Sequence, residues 1–412
     1  GQTCMISFNL FEAADSAQNL HLTHADEDIF ERGDKGARNA LEFIVDVAKN
    51  LGKGKTSLTV KWDGAPAIFA GWDPADGKFF VGTKGIFNKT PKVYKTIADI
   101  DANESGGKAE KLKVALEELP SVGIPKGKVL QGDMLWTSGD LKYETIDNVR
   151  YITCHPNTIV YAWPAESDIG KRIRNARMGI VWHTTYSGRG SLANFRAKFG
   201  VDASRLRQTR SCWMDDAYFK GATVAFTEDE YKDIFANAMA AQKLIGGFDK
   251  IVDIMDTLPS TAAGANIKTF INQNIRAGRF PNPERAYPEY IDYLKRYWDE
   301  KILAKLKTDK AKDAKKAALV QLLMDIHKEF DTFQRAFEYV SLTNDAKITI
   351  TKKLNQIEKQ KQFVKTKEGY KVTNPEGFVA IDAEAGEAVK FVDRLEFSHF
   401  NFSDEYIKGW QK

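Results

Sequence analysis

Apolar and polar positions along the 412-residue chain change period three times. Residues 26–51 carry Ala40, Leu41, Phe43, Ile44, Val47 and Ala48 at helical spacing, which predicts an amphipathic helix or two. Residues 57–63 then alternate apolar and polar, as a half-buried strand does. Two β-rich runs around a Pro-Ala-Asp-Gly turn at residues 71–85 predict a hairpin. A helix follows over 107–120, and strands over 129–136, 150–155, 157–163 and 178–186. Near residue 226 long helical periods take over, and they hold to about residue 345. Short alternating runs return after Ile348. The pattern predicts an α+β protein: a strand-rich body over 1–225, an all-helical insertion over 226–345, and a return to the body over 346–412. No repeat of solenoid or propeller length is present.

Charge changes this picture little. Lys plus Arg number 60 and Asp plus Glu 56, a net +4, which excludes a polycationic tail but leaves room for a local basic patch. The cysteines, Cys4, Cys154 and Cys212, lie far apart without a CxxC pair. They form neither a disulfide framework nor a zinc finger and point to a reducing, cytoplasmic setting. No apolar run is long enough to span a membrane.

The chemistry gathers around Lys61-Trp62-Asp63-Gly64. On a strand, Leu58, Val60 and Trp62 face one way and Thr59, Lys61 and Asp63 the other. A lysine and an aspartate then share one wall, and the glycine lets a ligand approach. Lysine attacks only as the free amine, and an ordinary lysine pKa of about 10.4 has to be lowered by burial or neighbouring cations.

Further short motifs follow this tetrapeptide. Phe79–Gly85 ends in Lys84-Gly85; Val129–Trp136 contains Gly132-Asp133; Gly179–Tyr186 contains Trp182-His183; Pro375–Ile381 contains Glu376-Gly377; and Glu387–Arg394 contains Lys390. Together and in this order they resemble the covalent nucleotidyltransferase superfamily, the ATP-dependent DNA and RNA ligases and the mRNA capping enzymes. The sequence as a whole also resembles proteins of large tailed phages, which implies the host cytoplasm. The resemblance covers about 57–186 and 365–395. It implies an adenylation fold of antiparallel sheets flanked by helices. It implies that Lys61 takes the nucleotide as lysyl-AMP, with Asp63 and Gly64 beside it. It places Lys84 and Lys390 on the phosphates, Asp133 on the ribose, Trp182 on the base, and Glu376 on the metal that assists the reaction. ATP and Mg²⁺ or Mn²⁺ are the implied cofactors.

Some positions depart from the family pattern. Asp133 stands where glutamate is usual, Pro66 where many DNA ligases have arginine, and Val392 where a second lysine often follows Lys390. Arg394 is the candidate to replace that lysine and to touch nucleic acid. A second Glu-Gly, Glu368-Gly369, reads as a hairpin turn. Residues 391–412 are too few for the five-stranded OB-fold barrel of DNA ligases and capping enzymes. This favours an RNA ligase, acting as a monomer on RNA or DNA strand ends. Residues 301–316 hold seven lysines and two aspartates. At helical spacing Lys301, Lys305, Lys307 and Lys312 would follow a phosphate backbone. Four basic residues over 171–179 offer a second phosphate contact. A DNA ligase, a GTP-using capping guanylyltransferase, and an inactive phage nucleic-acid-binding protein are the alternatives.

Other signals carry less. Gly54-Lys55-Thr56 lacks the earlier glycine of a P-loop, since position 49 is lysine. His21 and His24, followed by Asp26, Glu27 and Asp28, read as a helix N-terminus with acidic first-turn residues rather than a metal site. Trp72, Trp136, Trp163 and Trp213 read as core.

Overall fold

The computed structural model describes residues 21–50, 57–218, 226–355, 361–373, 377–382, 387–395 and 406–411. It opens with β1 (His21–His24), α1 (Asp28–Asn50), β2 (Ser57–Lys61), β3 (Ala67–Trp72) and β4 (Phe79–Gly82). Next come α2 (Ile97–Asn103), α3 (Gly106–Glu118), β5 (Lys128–Thr137), β6 (Lys142–Ile146), β7 (Val149–Cys154) and β8 (Ile159–Pro164). A short α4 (Asp168–Arg174) leads to β9 (Met178–Ser187), β10 (Arg196–Phe199) and β11 (Cys212–Asp216). The helical region holds α5 (Glu228–Gln242), α6 (Asp249–Asp256), α7 (Ile267–Arg276), α8 (Pro283–Tyr297), α9 (Asp309–Lys328) and α10 (Phe330–Asn355). Strands close the chain: β12 (Lys361–Thr366), β13 (Gly369–Val372), β14 (Gly377–Asp382), β15 (Glu387–Phe391) and β16 (Tyr406–Ile407).

The protein is therefore mixed α+β, built on three sheets. The first has the order β1-β15-β14-β2, with β1 parallel to β15 and the other pairs antiparallel. The second runs β10-β9-β5-β3-β4, with β11 added parallel to β9. The third runs β13-β12-β8-β7-β6, with β16 added to β12. The last five strands thus complete the first and third sheets, so the chain does return after its helices.

Strand alternation sorts the side chains of the first sheet. Leu58, Val60, Phe378, Ala380, Val389 and Phe391 point to one face. They share a single core with α1 and the helical region, including Ile44, Phe270, Tyr290 and Phe337. The helices therefore pack directly on the back of this sheet. On its other face Val379, Ile381 and Ala388 meet Phe199 and Ala197 of β10. Lys61 and Lys390 belong to that second face.

The expected hairpin over residues 71–85 forms as β3 and β4, its turn held by Asp73 and Asp76 side chains accepting from the Ala75 and Lys78 amides. Glu368-Gly369 lies at the β12–β13 hairpin, with Thr366 paired to Gly369. The histidine reading is corrected in part. His21–His24 is a strand on β15, Asp26 and Glu27 lie in the turn after it, and Asp28 begins the helix. The lysine-rich stretch is corrected too. It is broken into a π turn (Trp298–Ile302), a 3₁₀ turn (Leu303–Lys305) and α9, which Thr308 caps afresh by accepting from the Ala311 amide. A fresh N-cap at Thr308 cannot lie inside one continuous helix.

Candidate active site

Lys61 ends β2 opposite Gly377 of β14. Across β14, Val379 pairs with Thr59 on one side and Lys390 on the other. Directly opposed residues project to the same face, so Thr59, Lys61, Val379 and Lys390 line one wall. His24 extends it, since β1 pairs His24 with Lys390. Lys61 is 5% exposed and Lys390 3%. The His24 imidazole is held well below its ordinary range, first by burial and then by the charges of Arg394, Lys390, Lys347 and Lys61. The wall is therefore rich in buried positive charge, and His24 is neutral at pH 7.

The second sheet is stitched to the end of β2. The Ala65 amide donates to the Met134 carbonyl at 3.0 Å, and the Met134 amide to the Pro66 carbonyl at 3.0 Å. Gly64 lies against β5 so closely that a Cβ there would stand 2.7 Å from the Asp133 Cβ. Only glycine permits this approach. The Lys61 loop and Asp133 are thus joined by backbone. Asp133 is 5% exposed, and its Oδ1 accepts no hydrogen bond among the described residues. His183 Nε2 lies 3.7 Å from that oxygen. A β-bulge explains His183. Gln131 pairs with Thr184 and Gly132 with Trp182, which leaves His183 as the extra residue on β9. Such a bulge re-aims a side chain, here towards Asp133.

Asp63 lies beyond the strand, and its carboxylate is bound to a turn. It accepts from Asn157 Nδ2 at 2.7 Å and from the Thr158 and Ile159 amides at 2.7 and 3.0 Å. Its own amide donates to the Tyr161 hydroxyl at 2.6 Å. Burial raises its carboxyl above the usual range, against these three hydrogen bonds. Asp63 fixes the loop that carries Lys61.

The remaining candidates are distributed as follows. Trp182 sits on the opposite face of the second sheet, fully buried with Ile68, Leu130 and Met214, its Nε1 3.3 Å from Met214 Sδ. It is not brought to the Lys61 wall. Lys84 is exposed at the start of a 3₁₀ turn after β4. Arg394 is buried, with Nη1 2.7 Å from Glu27 and 3.4 Å from Asp26, and Nη2 bonded to Asn272. It is enclosed by α1 and α7 rather than presented to a strand of nucleic acid. Lys301, Lys305 and Lys307 are exposed, and Lys312 is half-buried. Glu376 lies outside the described residues. Among the described residues no group of three or more His, Cys, Asp or Glu side chains is placed to hold a metal ion. In the basic run at 171–179, Arg172 donates to the carbonyls of Thr209, Arg210 and Cys212 and Arg177 pairs with Glu117 and Glu118, while Lys171 and Arg174 are exposed.

Sequence reasoning passed over a buried network beside this wall. Lys347 of α10 lies 2.7 Å from Asp26, both fully buried, and Arg394 joins Asp26 to Glu27. Burial alone would raise Asp26, but Lys347 and Arg394 bring its carboxyl below the usual range. Nothing local marks Lys347: it is one lysine in a long helical run.

No curated protein and no solved structure matches this chain. A protein-family model does match it over residues 19–406, and the chain belongs to that family, described as a family of unknown function (DUF6267).

Proposed function

We propose that this chain is an ATP-dependent polynucleotide ligase, acting on RNA ends in preference to DNA. The observation that carries the reading is the shared wall: Lys61 and Lys390 face the same side of one sheet, and backbone hydrogen bonds tie the segment after Lys61 to Met134, the neighbour of Asp133. The Lys61 amine attacks the α-phosphorus of ATP, forming the P–N bond of lysyl-AMP as pyrophosphate leaves. A 5′-phosphate oxygen of the strand then takes the AMP, which restores Lys61. Finally a 3′-hydroxyl attacks that 5′-phosphorus, the phosphodiester forms, and AMP leaves.

Such transfers depend on positioning and on neutralising phosphate charge. Lys390 supplies a buried cation on the same sheet face as the reacting lysine, one strand beyond β14. Asp133 offers an unengaged carboxylate oxygen to a ribose hydroxyl. A Mg²⁺ bound with the nucleotide would need only one or two protein carboxylates and would supply further charge neutralisation. In sequence Glu376 directly precedes Gly377, the residue opposite Lys61, and is the carboxylate this reading assigns to the metal. The base is not read by Trp182 in this account, because that ring is enclosed in the core.

The test is incubation with labelled ATP and Mg²⁺ without nucleic acid, followed by a denaturing gel. Label that stays with the wild-type protein on the gel, stable to alkali and released by acid as a P–N bond requires, and none in Lys61→Ala is the expected result. Label from GTP instead would make the protein a guanylyltransferase. No label from either nucleotide, in folded protein, would overturn the enzyme reading and favour a nucleic-acid-binding protein.

A further inference from the structure

The turn that binds Asp63 is itself held by the last described residues of the chain. Strand β16 docks on β12 through Thr366 and Tyr406. Beyond it the Lys408 amide donates to Gln411 Oε1 at 2.7 Å and the Gln411 amide to the Lys408 carbonyl at 3.0 Å, closing a small turn. Lys408 Nζ is buried and donates to Thr158 Oγ1 at 2.8 Å. The Gly409 amide donates to the Asn157 carbonyl at 2.7 Å. A Cβ on Gly409 would lie 1.8 Å from the His155 carbonyl oxygen, so no other residue fits without moving the turn.

Asn157 and Thr158 therefore each face two ways. One side of the turn receives Lys408 and Gly409, and the other presents the Asn157 amide group and two backbone amides to Asp63. Two residues before Asp63 is Lys61.

We infer that residues 406–411 are a latch that sets the position of the Lys61 loop through the 157–159 turn and Asp63, making Lys408 and Gly409 positioning residues for the reaction at Lys61. The inference rests on the lysyl-AMP reading for its catalytic meaning, but the latch itself is a property of the fold and is measurable without ATP. A tail that only adds stability would loosen the third sheet generally. A positioning latch acts on one turn and one loop.

The experiment uses the full chain as wild type, Gly409→Ala, Lys408→Met, Lys408→Arg and Thr158→Val, with the Lys408→Met/Thr158→Val pair. Hydrogen exchange is followed at the Asp63, Thr158 and Ile159 amides, with β9 and α10 as internal references. Single-turnover lysyl-AMP formation is measured against ATP concentration. In Lys408→Met the three amides are expected to exchange about tenfold faster or more, with the references unchanged. The labelling rate is expected to fall on the order of 10- to 100-fold while half-saturating ATP shifts less than about threefold, as a misplaced reacting group requires. Lys408→Arg, which keeps a long donor, restores most of both. Thr158→Val reproduces Lys408→Met, and the pair adds nothing further. If Gly409→Ala fails to fold, Lys408→Met carries the test. Unchanged exchange at the three amides, or a rate loss that Arg does not rescue, overturns the latch. Absence of label in the wild type overturns the lysyl-AMP reading instead, and the exchange result alone then decides the latch.

Discussion

Asp63 shows how a buried carboxylate can act by holding backbone. Replacing it with alanine leaves Asn157 Nδ2 and two buried amides without acceptors. The expected cost is roughly 3 kcal/mol in urea denaturation, with Asp63→Asn costing less because one acceptor oxygen survives. Trp182 gives a contrasting expectation. Its truncation to alanine opens a cavity in the second sheet's core and should cost roughly 3–5 kcal/mol, while a Trp182→Phe variant that stays folded should bind ATP as the wild type does. A large loss of ATP affinity in the phenylalanine variant would return the indole to the base. Much of this scale was legible in the sequence. The parity of β2 correctly put Lys61 on the face away from Leu58 and Val60. The same parity failed for Asp63, because the strand ends at Lys61. It could not show that Trp182 faces core, since alternation says which residues share a face and not what covers it. The bulge at His183 has no local signature either.

At the scale of elements, the Asp26–Lys347 pair ties α10 to the start of α1, next to the strand bearing His24. Removing one partner of a fully buried pair leaves an uncompensated charge, so Lys347→Met should destabilise by about 3–5 kcal/mol. The double variant Asp26→Asn/Lys347→Met should recover part of that loss, and additive losses in denaturant titrations would argue against coupling. The lysine-rich stretch leads to a different measurement. Its break at Thr308 separates Lys301, Lys305 and Lys307 from the body of α9. If these three contact single-stranded nucleic acid, changing them to glutamine should lower the slope of log K against log salt by about 2. An unchanged slope would make them an ordinary solvated face. Composition revealed the charge, while the helix break depended on capping by Thr308, which the lysine spacing concealed. β7 was expected, but β6 and the turn that pairs them were missed, although Asp147-Asn148, both at positive φ, is a turn pair of the kind such hairpins use.

For the molecule as a whole, pH should act through buried imidazoles. Burial lowers His24 well below 6.5 and His155 to about 4. Below roughly pH 6.5 the unfolded chain takes up protons that the folded chain refuses. Stability should therefore fall with decreasing pH, by up to about 1.4 kcal/mol per histidine per pH unit, and for His155 this continues to about pH 4. Asp63, whose carboxyl is raised, works in the opposite direction at lower pH. Urea titrations at pH 7.5 and 5 check this, and His155→Asn should flatten the difference. The order of strands, helices and strands was readable from period, but the last helix, α10, runs to Asn355, past the expected boundary at 345. The pairing of the late strands with the early ones was not, because long-range register leaves no local trace.

That pairing has a consequence for how the protein is made. Synthesis proceeds from the N-terminus, so β2 and its lysine emerge long before β14 and β15, the strands that complete their sheet. Until those strands leave the ribosome, β2 has an open edge and the apolar side chains Leu58 and Val60 lack Phe378 and Ala380 beside them. A chain interrupted anywhere in its helices holds Lys61 but not Lys390, and the third sheet lacks the strands that dock on β8. If Lys61 takes AMP as proposed, reactivity would thereby be withheld from unfinished copies: the lysine is present early, and the strands that surround it are delivered last.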